Sequence, residues 1–167
     1  YFANSLHDNL TATVYGTPEV EGWGRLTVSI MDGSTTVGTY GVFCLDATEV
    51  LGYGVNIYTF EPQMTPSIAG HTTYNAGRIA YLFNHYGLRP ESDWTRLDAV
   101  AMQLAIAELE LDETPDLTAG NFRDIGAVGA PYSPTILDIP TLLNRVNEFI
   151  AESEGKDEQA MFLNALT

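Results

Sequence analysis

The chain has 167 residues, 45% of them hydrophobic, and its 7 Lys and Arg against 22 Asp and Glu give a net charge of -15. This length suits one well-cored domain, so we expect residues 1–167 to form a single domain. The negative charge would repel phosphate backbones and anionic lipid surfaces, which argues against nucleic acid and bare membrane as partners. No apolar run approaches the roughly 20 residues of a membrane-spanning helix, so we expect no direct membrane insertion.

The first sixty residues predict four strands, because runs of β-branched and aromatic residues are punctuated by Gly, Asp and Pro. An Asp-Gly pair, Asp32-Gly33, predicts a tight hairpin between the second and the third strand. Alternation along the third strand puts Cys44 and Asp46 on one face, together with Tyr40 and Val42. The four runs are LTATVYG (10–16), GRLTVSIM (24–31), TTVGTYGVFCLD (35–46) and GYGVNIYTFEP (52–62).

Helices are predicted in the second half of the chain. YNAGRIAYLFNHYG (74–87) has apolar residues at helical spacing and ends in Gly87, a residue that favours a C-cap. ESDWTRLDAVAMQLAIAELELDE (91–113) predicts a helix with Ser92 or Asp93 as its N-cap. Apolar residues surround that helix from 100 to 107, so we expect it to be central and buried.

The remaining segments complete the predicted order of elements. TPDLTAGNFRDIGAVGAPYSP (114–134) is interpreted as a loop, and LDIPTLLNRVNEFIAES (137–153) as a helix. QAMFLNAL (159–166) is compatible with a closing strand or with a helical turn. The apolar stripe of the helix comprises Ile139, Leu142, Leu143, Val146 and Ile150.

Several kinds of chemistry lack the residues they need. His7, His71 and His85 show no metal-site spacing, and we expect them on the surface or in loops. The lone cysteine excludes an internal disulfide and any metal site built from several cysteines. No Gly-rich loop has the spacing of a phosphate or dinucleotide site, so no cofactor is expected. The acidic residues of ELELDE (108–113) are interpreted as a solvated helix end.

Two residues remain that could carry chemistry together, Cys44 and Gln103. Gln103 is the one polar residue in AVAMQLAIA (99–107), and a buried amide without partners costs roughly 1–3 kcal/mol. Separately, a buried thiol and a core amide each have an ordinary structural explanation. Together, a sulfur held against the Gln carboxamide carbon could displace ammonia and form an internal thioester, since geometry supplies a large effective molarity.

Short motifs around these two residues resemble those of the thioester domains of bacterial surface adhesins. FCLD (43–46) resembles their aromatic-Cys-apolar-acid signature, and MQLAIAE (102–108) resembles their second signature, often T-Q-x-A-I-W. AGRIAYLFNHYG (76–87) and DLTAGNF (116–122) are similar to segments that such domains carry between and after the motifs. The chain departs from the pattern in having Met102 in place of Thr and Ala107 in place of Trp, and neither change removes a reacting atom.

The resemblance implies an α+β fold in which a β-barrel or sandwich-like half packs on a helical portion, with the thioester at their junction. It implies that Cys44 supplies the sulfur and Gln103 the acyl carbon. Asp46 could orient the site or accept a proton. The surrounding apolar side chains would pack around the bond and exclude water; they are Phe43, Leu45, Met102 and Ile106.

The implied function is covalent attachment at a bacterial cell surface, outside the cell. A primary amine, such as a lysine side chain of a surface protein, attacks the thioester, leaving an amide at position 103 and a free thiol at Cys44. This happens once per molecule, so the domain acts as a monomeric reactive anchor and not as an enzyme. The scarcity of lysine, with Lys156 alone, is compatible with that role.

Two other interpretations stay open at the sequence level. In the first, the same fold is a noncovalent surface-binding module in which Cys44 remains a free thiol. In the second, Cys44 and a histidine such as His71 form the nucleophile and base of a cysteine hydrolase. A detectable thiol in the native protein distinguishes the first from a thioester, and turnover of a substrate identifies the second.

Overall fold

A computed structural model describes residues 2–46, 60–64, 72–132 and 134–165, and these residues confirm the α+β class. The strands are β1 (Phe2–Val14), β2 (Thr17–Asp32), β3 (Thr35–Val42), β4 (Phe60–Gln63), β5 (Phe122–Ala127) and β6 (Phe162–Ala165). The helices are α1 (Ala76–Leu82), α2 (Arg96–Leu111) and α3 (Ile139–Glu152). A π-helical turn (Phe83–Gly87) extends α1, and a short 3-10 turn (Glu91–Asp93) precedes α2.

The described strands form an antiparallel four-stranded sheet in the order β3-β2-β1-β5 and a separate antiparallel pair, β4-β6. The predicted hairpin is confirmed, because Asp32 pairs with Thr35 and Gly33 lies in the left-handed region at φ 58°. Closure of the strands into a barrel or sandwich-like half stays a prediction. Most of the predicted fourth strand, residues 52–59, lies outside the described residues.

Three strand predictions were wrong in extent. The first two strands begin at Phe2 and Thr17, earlier than predicted, because their polar residues pair with each other along an extended antiparallel ladder. The third strand ends at Val42, so its alternation does not continue to Cys44 and Asp46. The predicted loop 114–134 contains β5, which pairs with the far end of β1.

The closing segment 159–166 is a strand in its described part, β6.

The buried helix α2 is the centre of the fold, as predicted. Every residue from Ala99 to Leu111 is buried, and the helix packs on β1, β2 and α3. The helix begins later than expected, since Trp94 is extended and Thr95 is the N-cap, accepting a hydrogen bond from the Asp98 N–H at 3.0 Å. Neither Ser92 nor Asp93 caps the helix, because both lie in the preceding 3-10 turn.

The other two helices bury the apolar faces that were predicted for them. In α3, Leu142, Val146 and Phe149 are fully buried against the core, and Phe149 is a member that the predicted stripe omitted. The predicted helix 74–87 is α-helical up to Leu82 and ends as the π-helical turn at Gly87. No helix among the described residues is long and apolar enough to cross a membrane.

Candidate functional site

The fold brings Cys44 and Gln103 into direct contact, although 59 positions separate them in sequence. Cys44 lies two residues beyond the end of β3, and Gln103 lies in the middle of α2. The Cys44 backbone N–H donates to Gln103 Oε1 at 2.9 Å, and Gln103 Nε2 donates to the Cys44 carbonyl oxygen at 2.7 Å. The buried amide therefore finds both of its partners on the backbone of the lone cysteine.

The thiol of Cys44 has a second anchor in the same loop. Its Sγ donates to the backbone carbonyl oxygen of Asp46 at 3.1 Å. Burial raises the pKa of the thiol to about 12, with a further contribution from the negative charge of Asp46. The sulfur is therefore a protonated thiol at neutral pH and not a thiolate.

The predicted position of Asp46 on the third strand was wrong. Strand alternation does not place Asp46 on the same face as Cys44, because β3 ends at Val42 and residues 43–46 are not part of the strand. The hydrogen bond from the thiol goes to the backbone carbonyl of Asp46 and not to its carboxylate. A role of the carboxylate in orienting the site or in accepting a proton stays a prediction.

The apolar residues expected around the pair lie in or against the core. Met102 is fully buried and Ile106 is 3% exposed, while Phe43 and Leu45 pack against the core as partly buried side chains. The Phe43 ring lies 5.4 Å from the ring of Trp94, centroid to centroid. Cys44 itself is partly buried. The exclusion of water from the pair by these side chains stays a prediction.

The carboxylates at the end of α2 contradict the prediction of a solvated helix end. Glu108, Glu110 and Asp112 are 0%, 1% and 7% exposed. The segment after the helix folds back over its end, and its backbone N–H groups need acceptors. Asp112 accepts from the N–H groups of Asn121 and Phe122, and Glu108 accepts from the Asp116 N–H at 2.5 Å.

Glu108 has a buried oxygen that its hydrogen bond does not use. Within the described part of the chain, its Oε2 has no hydrogen-bond partner. Burial raises the pKa of Glu108 from 4.5 to about 8. The folded state therefore holds a proton that the unfolded state loses between these pH values, and the free energy of unfolding decreases as pH rises through this window.

We therefore expect Glu108→Gln to be more stable than the wild type at high pH. The neutral amide keeps an oxygen for the Asp116 N–H and carries no buried charge. The gain should be about 1–3 kcal/mol near pH 8 and close to zero near pH 5. Urea denaturation of both proteins at the two pH values measures it, and a gain that does not depend on pH would contradict the assignment.

Further acidic residues that the sequence did not single out act electrostatically on Cys44. Glu110 and Glu21 add to the negative charge that raises the pKa of the Cys44 thiol, after burial and Asp46. The backbone carbonyl of Glu110 accepts a hydrogen bond from the Tyr74 N–H at 3.0 Å. One sequence signal could have indicated Glu110, since it follows Gln103 by seven positions and so lies on the same face of the helix.

The histidines take different positions. His7 lies in β1 and not in a loop, and its side chain is partly buried, which lowers its pKa. His85 is exposed, with Nε2 2.9 Å from Glu158 Oε1, and His71 lies outside the described residues. Among the residues that the structure describes, Cys44 forms its hydrogen bonds with Gln103 and Asp46 and with neither His7 nor His85.

Metal chemistry has no candidate in the described ranges, where no group of three or more His, Cys, Asp and Glu side chains is arranged to hold an ion. Comparison of the chain with protein-family models, with curated proteins and with solved structures gives no match. The resemblance to thioester domains therefore rests on the motifs of this chain.

Proposed function

We propose that Cys44 and Gln103 form an internal thioester and that this bond attaches the protein covalently to a primary amine on a partner. The observation that carries the proposal is the reciprocal pair of hydrogen bonds between the Gln103 carboxamide and the Cys44 backbone. These bonds fix the carboxamide carbon beside the residue that bears the chain's one thiol. A core amide that served packing alone would need partners, but not partners on that residue.

The same hydrogen bonds support a chemical route to the bond. When Cys44 Sγ attacks Cδ of Gln103, negative charge develops on Oε1, which already accepts the Cys44 N–H. The nitrogen Nε2 takes the proton of the thiol and leaves as ammonia, so a carbon-nitrogen bond is replaced by a carbon-sulfur bond. Fixed geometry lowers the barrier because the Gln103 carboxamide is already held on the backbone of Cys44.

Reaction with a partner then follows from the chemistry of the thioester. An amine attacks Cδ of Gln103, the carbon-sulfur bond breaks, and Sγ takes a proton to become the thiol. The high pKa of that thiol, about 12, makes the bare thiolate a poor leaving group, so the sulfur needs a proton as it leaves. The new amide is stable, and the domain reacts once, as an anchor and not as an enzyme.

In this proposal the partner is a lysine-containing surface protein or another primary amine, and the domain acts as a monomer on the outside of a bacterial cell. The β-rich part forms a barrel or sandwich-like half, and the thioester lies where it meets α2. Among the residues that the structure describes, the Cys44 thiol donates to the Asp46 carbonyl and to no histidine, whereas a cysteine hydrolase depends on a thiol that a nearby base activates.

The mass of the intact native protein tests the proposal. We expect a mass lower than that of the sequence by one ammonia, because the thioester forms with loss of the Gln103 amide nitrogen. Cys44→Ala and Gln103→Ala should each have the full calculated mass. A full mass in freshly purified wild-type protein, together with a titratable thiol, would reject the thioester in favour of the noncovalent module.

A further inference from the structure

A cavity of about 240 Å³ lies at the N-terminus of α2, and neither Cys44 nor Gln103 is part of its lining. We propose that this cavity binds a small molecule with a single carboxylate and that the Arg96 guanidinium holds the carboxylate. The inference goes beyond the proposed thioester and does not depend on it. The lining residues are His7, Asp8, Asn9, Arg96, Pro134 and Ile136.

The cavity forms where β1 separates from β5. Among the described strands, β5 pairs with residues 10–14 of β1 and not with the residues before them. The segment 134–137 is held against that preceding part of β1, because the Asp8 carboxylate accepts from the N–H groups of Ile136 and Leu137 at 2.8 and 2.7 Å. These bonds fix one wall of the cavity before a ligand arrives, so binding requires little further ordering.

Arg96 supplies positive charge to the cavity. It is the first residue of α2 and is partly buried. Within the described part of the chain, no hydrogen bond, ion pair or ring contact joins its side chain to another residue, although the chain has 22 Asp and Glu. Arg145, by contrast, donates to Asp98 at 2.8 Å and to Glu148 at 2.6 Å. An Arg guanidinium is always charged and its fork fits a carboxylate, so an unpaired Arg in a cavity favours an anionic ligand.

The acidic residue of the lining, Asp8, limits the charge of that ligand. Its oxygens accept the backbone N–H groups of Asn9, Ile136 and Leu137, and they form no ion pair with Arg96. The Asp8 carboxylate still repels a second negative charge in the cavity. A phosphate group carries about −1.5 to −2 charges at neutral pH, so a carboxylate with one charge fits better.

The other side chains of the lining set the shape and polarity of the ligand. His7 is partly buried, and the charge of Arg96 adds to the effect of burial in lowering the pKa of its ring. The neutral ring offers one donor and one acceptor. Pro134 and the exposed Ile136 give the cavity an apolar side. The volume lies below the roughly 300–1,000 Å³ of sites for drug-sized ligands, so the ligand is small.

Three probes with the same phenyl group test the site. Benzoate carries one carboxylate, benzamide is its neutral counterpart, and phenyl phosphate carries nearly two charges; none has an amine that could react with a thioester. Binding is followed by the amide chemical shifts of isotopically labelled native protein. We expect benzoate to bind with a Kd on the order of 1 mM and about 10-fold more tightly than benzamide. The shifts should centre on residues 7–9 and 134–136.

Substitutions show whether Arg96 causes the preference. Arg96→Gln should weaken benzoate binding about 10-fold and leave benzamide binding unchanged, and Arg96→Lys should cost about 3-fold because it keeps the charge and loses the fork. Arg89→Gln is the matched control, since it removes the same charge from an exposed arginine outside the lining and should bind benzoate like the wild type. Cys44→Ala should also bind benzoate like the wild type, whether or not the thioester forms.

Several results would overturn the inference. Equal Kd values for benzoate and benzamide would show that the charge of Arg96 is not used, and shifts that do not saturate about 10-fold above the expected Kd would show that the cavity binds no carboxylate. Tighter binding of phenyl phosphate than of benzoate would reject the carboxylate as the ligand group. An equal loss in Arg89→Gln and Arg96→Gln would assign the effect to the net charge of the protein. If Arg96→Gln fails to fold, Arg96→Lys and the three probes on the wild type decide.

Discussion

Methylamine added to the native protein is expected to attach to Gln103 and to release one titratable thiol at Cys44. The small amine can reach a partly buried site, and the thioester carbonyl is far more reactive than the amide it replaces. The mass should rise by one methylamine relative to the intact thioester form. Peptide mapping should place the added group on Gln103, within the segment AVAMQLAIA.

Single variants define the requirement for both reacting atoms. Cys44→Ala removes the sulfur and Gln103→Ala removes the acyl carbon, so each should abolish the addition of methylamine completely. Asp32→Asn, which changes the last residue of β2 beside the hairpin turn, should react like the wild type. If methylamine left both the mass and the thiol count of native and partly unfolded protein unchanged, the role as a covalent anchor would have to be abandoned.

The burial of Gln103 could be predicted because it sits in a locally recognisable helix, whereas its proximity to Cys44 was expected from the resemblance to thioester domains. The all-round apolar pattern from 100 to 107 predicted a central helix, and every residue there is buried. Gln103 stood out as the one polar residue of that stretch. The local pattern did not predict the contact between the two residues. The Cys44 N–H meets Gln103 because the chain turns after β3 ends at Val42.

The strand β5 could not be predicted from its own residues. Phe122–Ala127 contains Arg, Asp and Gly and has little β propensity. Its conformation depends on long-range pairing, in which Thr13 lies opposite Arg123 and Val14 lies opposite Phe122. Such pairing is a property of the assembled sheet, so a local pattern of polar and small residues is interpreted as a loop.

The burial of the carboxylates at the end of α2 is a second effect of the assembled fold. The sequence ELELDE has the composition of a solvated helix end, and in isolation its side chains would face water. The following segment instead folds back and presents the N–H groups of Asp116, Asn121 and Phe122 to Glu108 and Asp112. Burial at this place therefore follows from unpaired backbone donors, which a hydropathy pattern does not contain.

Loss of the thioester is expected to lower the melting temperature of the protein substantially. The bond would join the loop after β3 to α2 and close a chain segment of 59 residues. By the chain-entropy treatment of disulfides, a crosslink over such a loop contributes about 2–4 kcal/mol, chiefly by restricting the unfolded chain. For a domain of this size that corresponds to a shift on the order of 10 °C.

Opening the bond with ammonia gives the sharpest comparison, because it regenerates the Gln103 carboxamide and the Cys44 thiol without changing any residue. The opened form should keep the hydrogen bonds from the Cys44 N–H to Oε1 and from Nε2 to the Cys44 carbonyl, so its native contacts match those described above. Scanning calorimetry of intact protein, ammonia-opened protein and Cys44→Ser should give one high and two similar lower melting temperatures. If the ammonia-opened form had the same melting temperature as the intact protein, and its mass confirmed the opening, the crosslink would provide reactivity and would not stabilise the fold. If Cys44→Ser alone melted lower, the loss would come from the packing of the thiol.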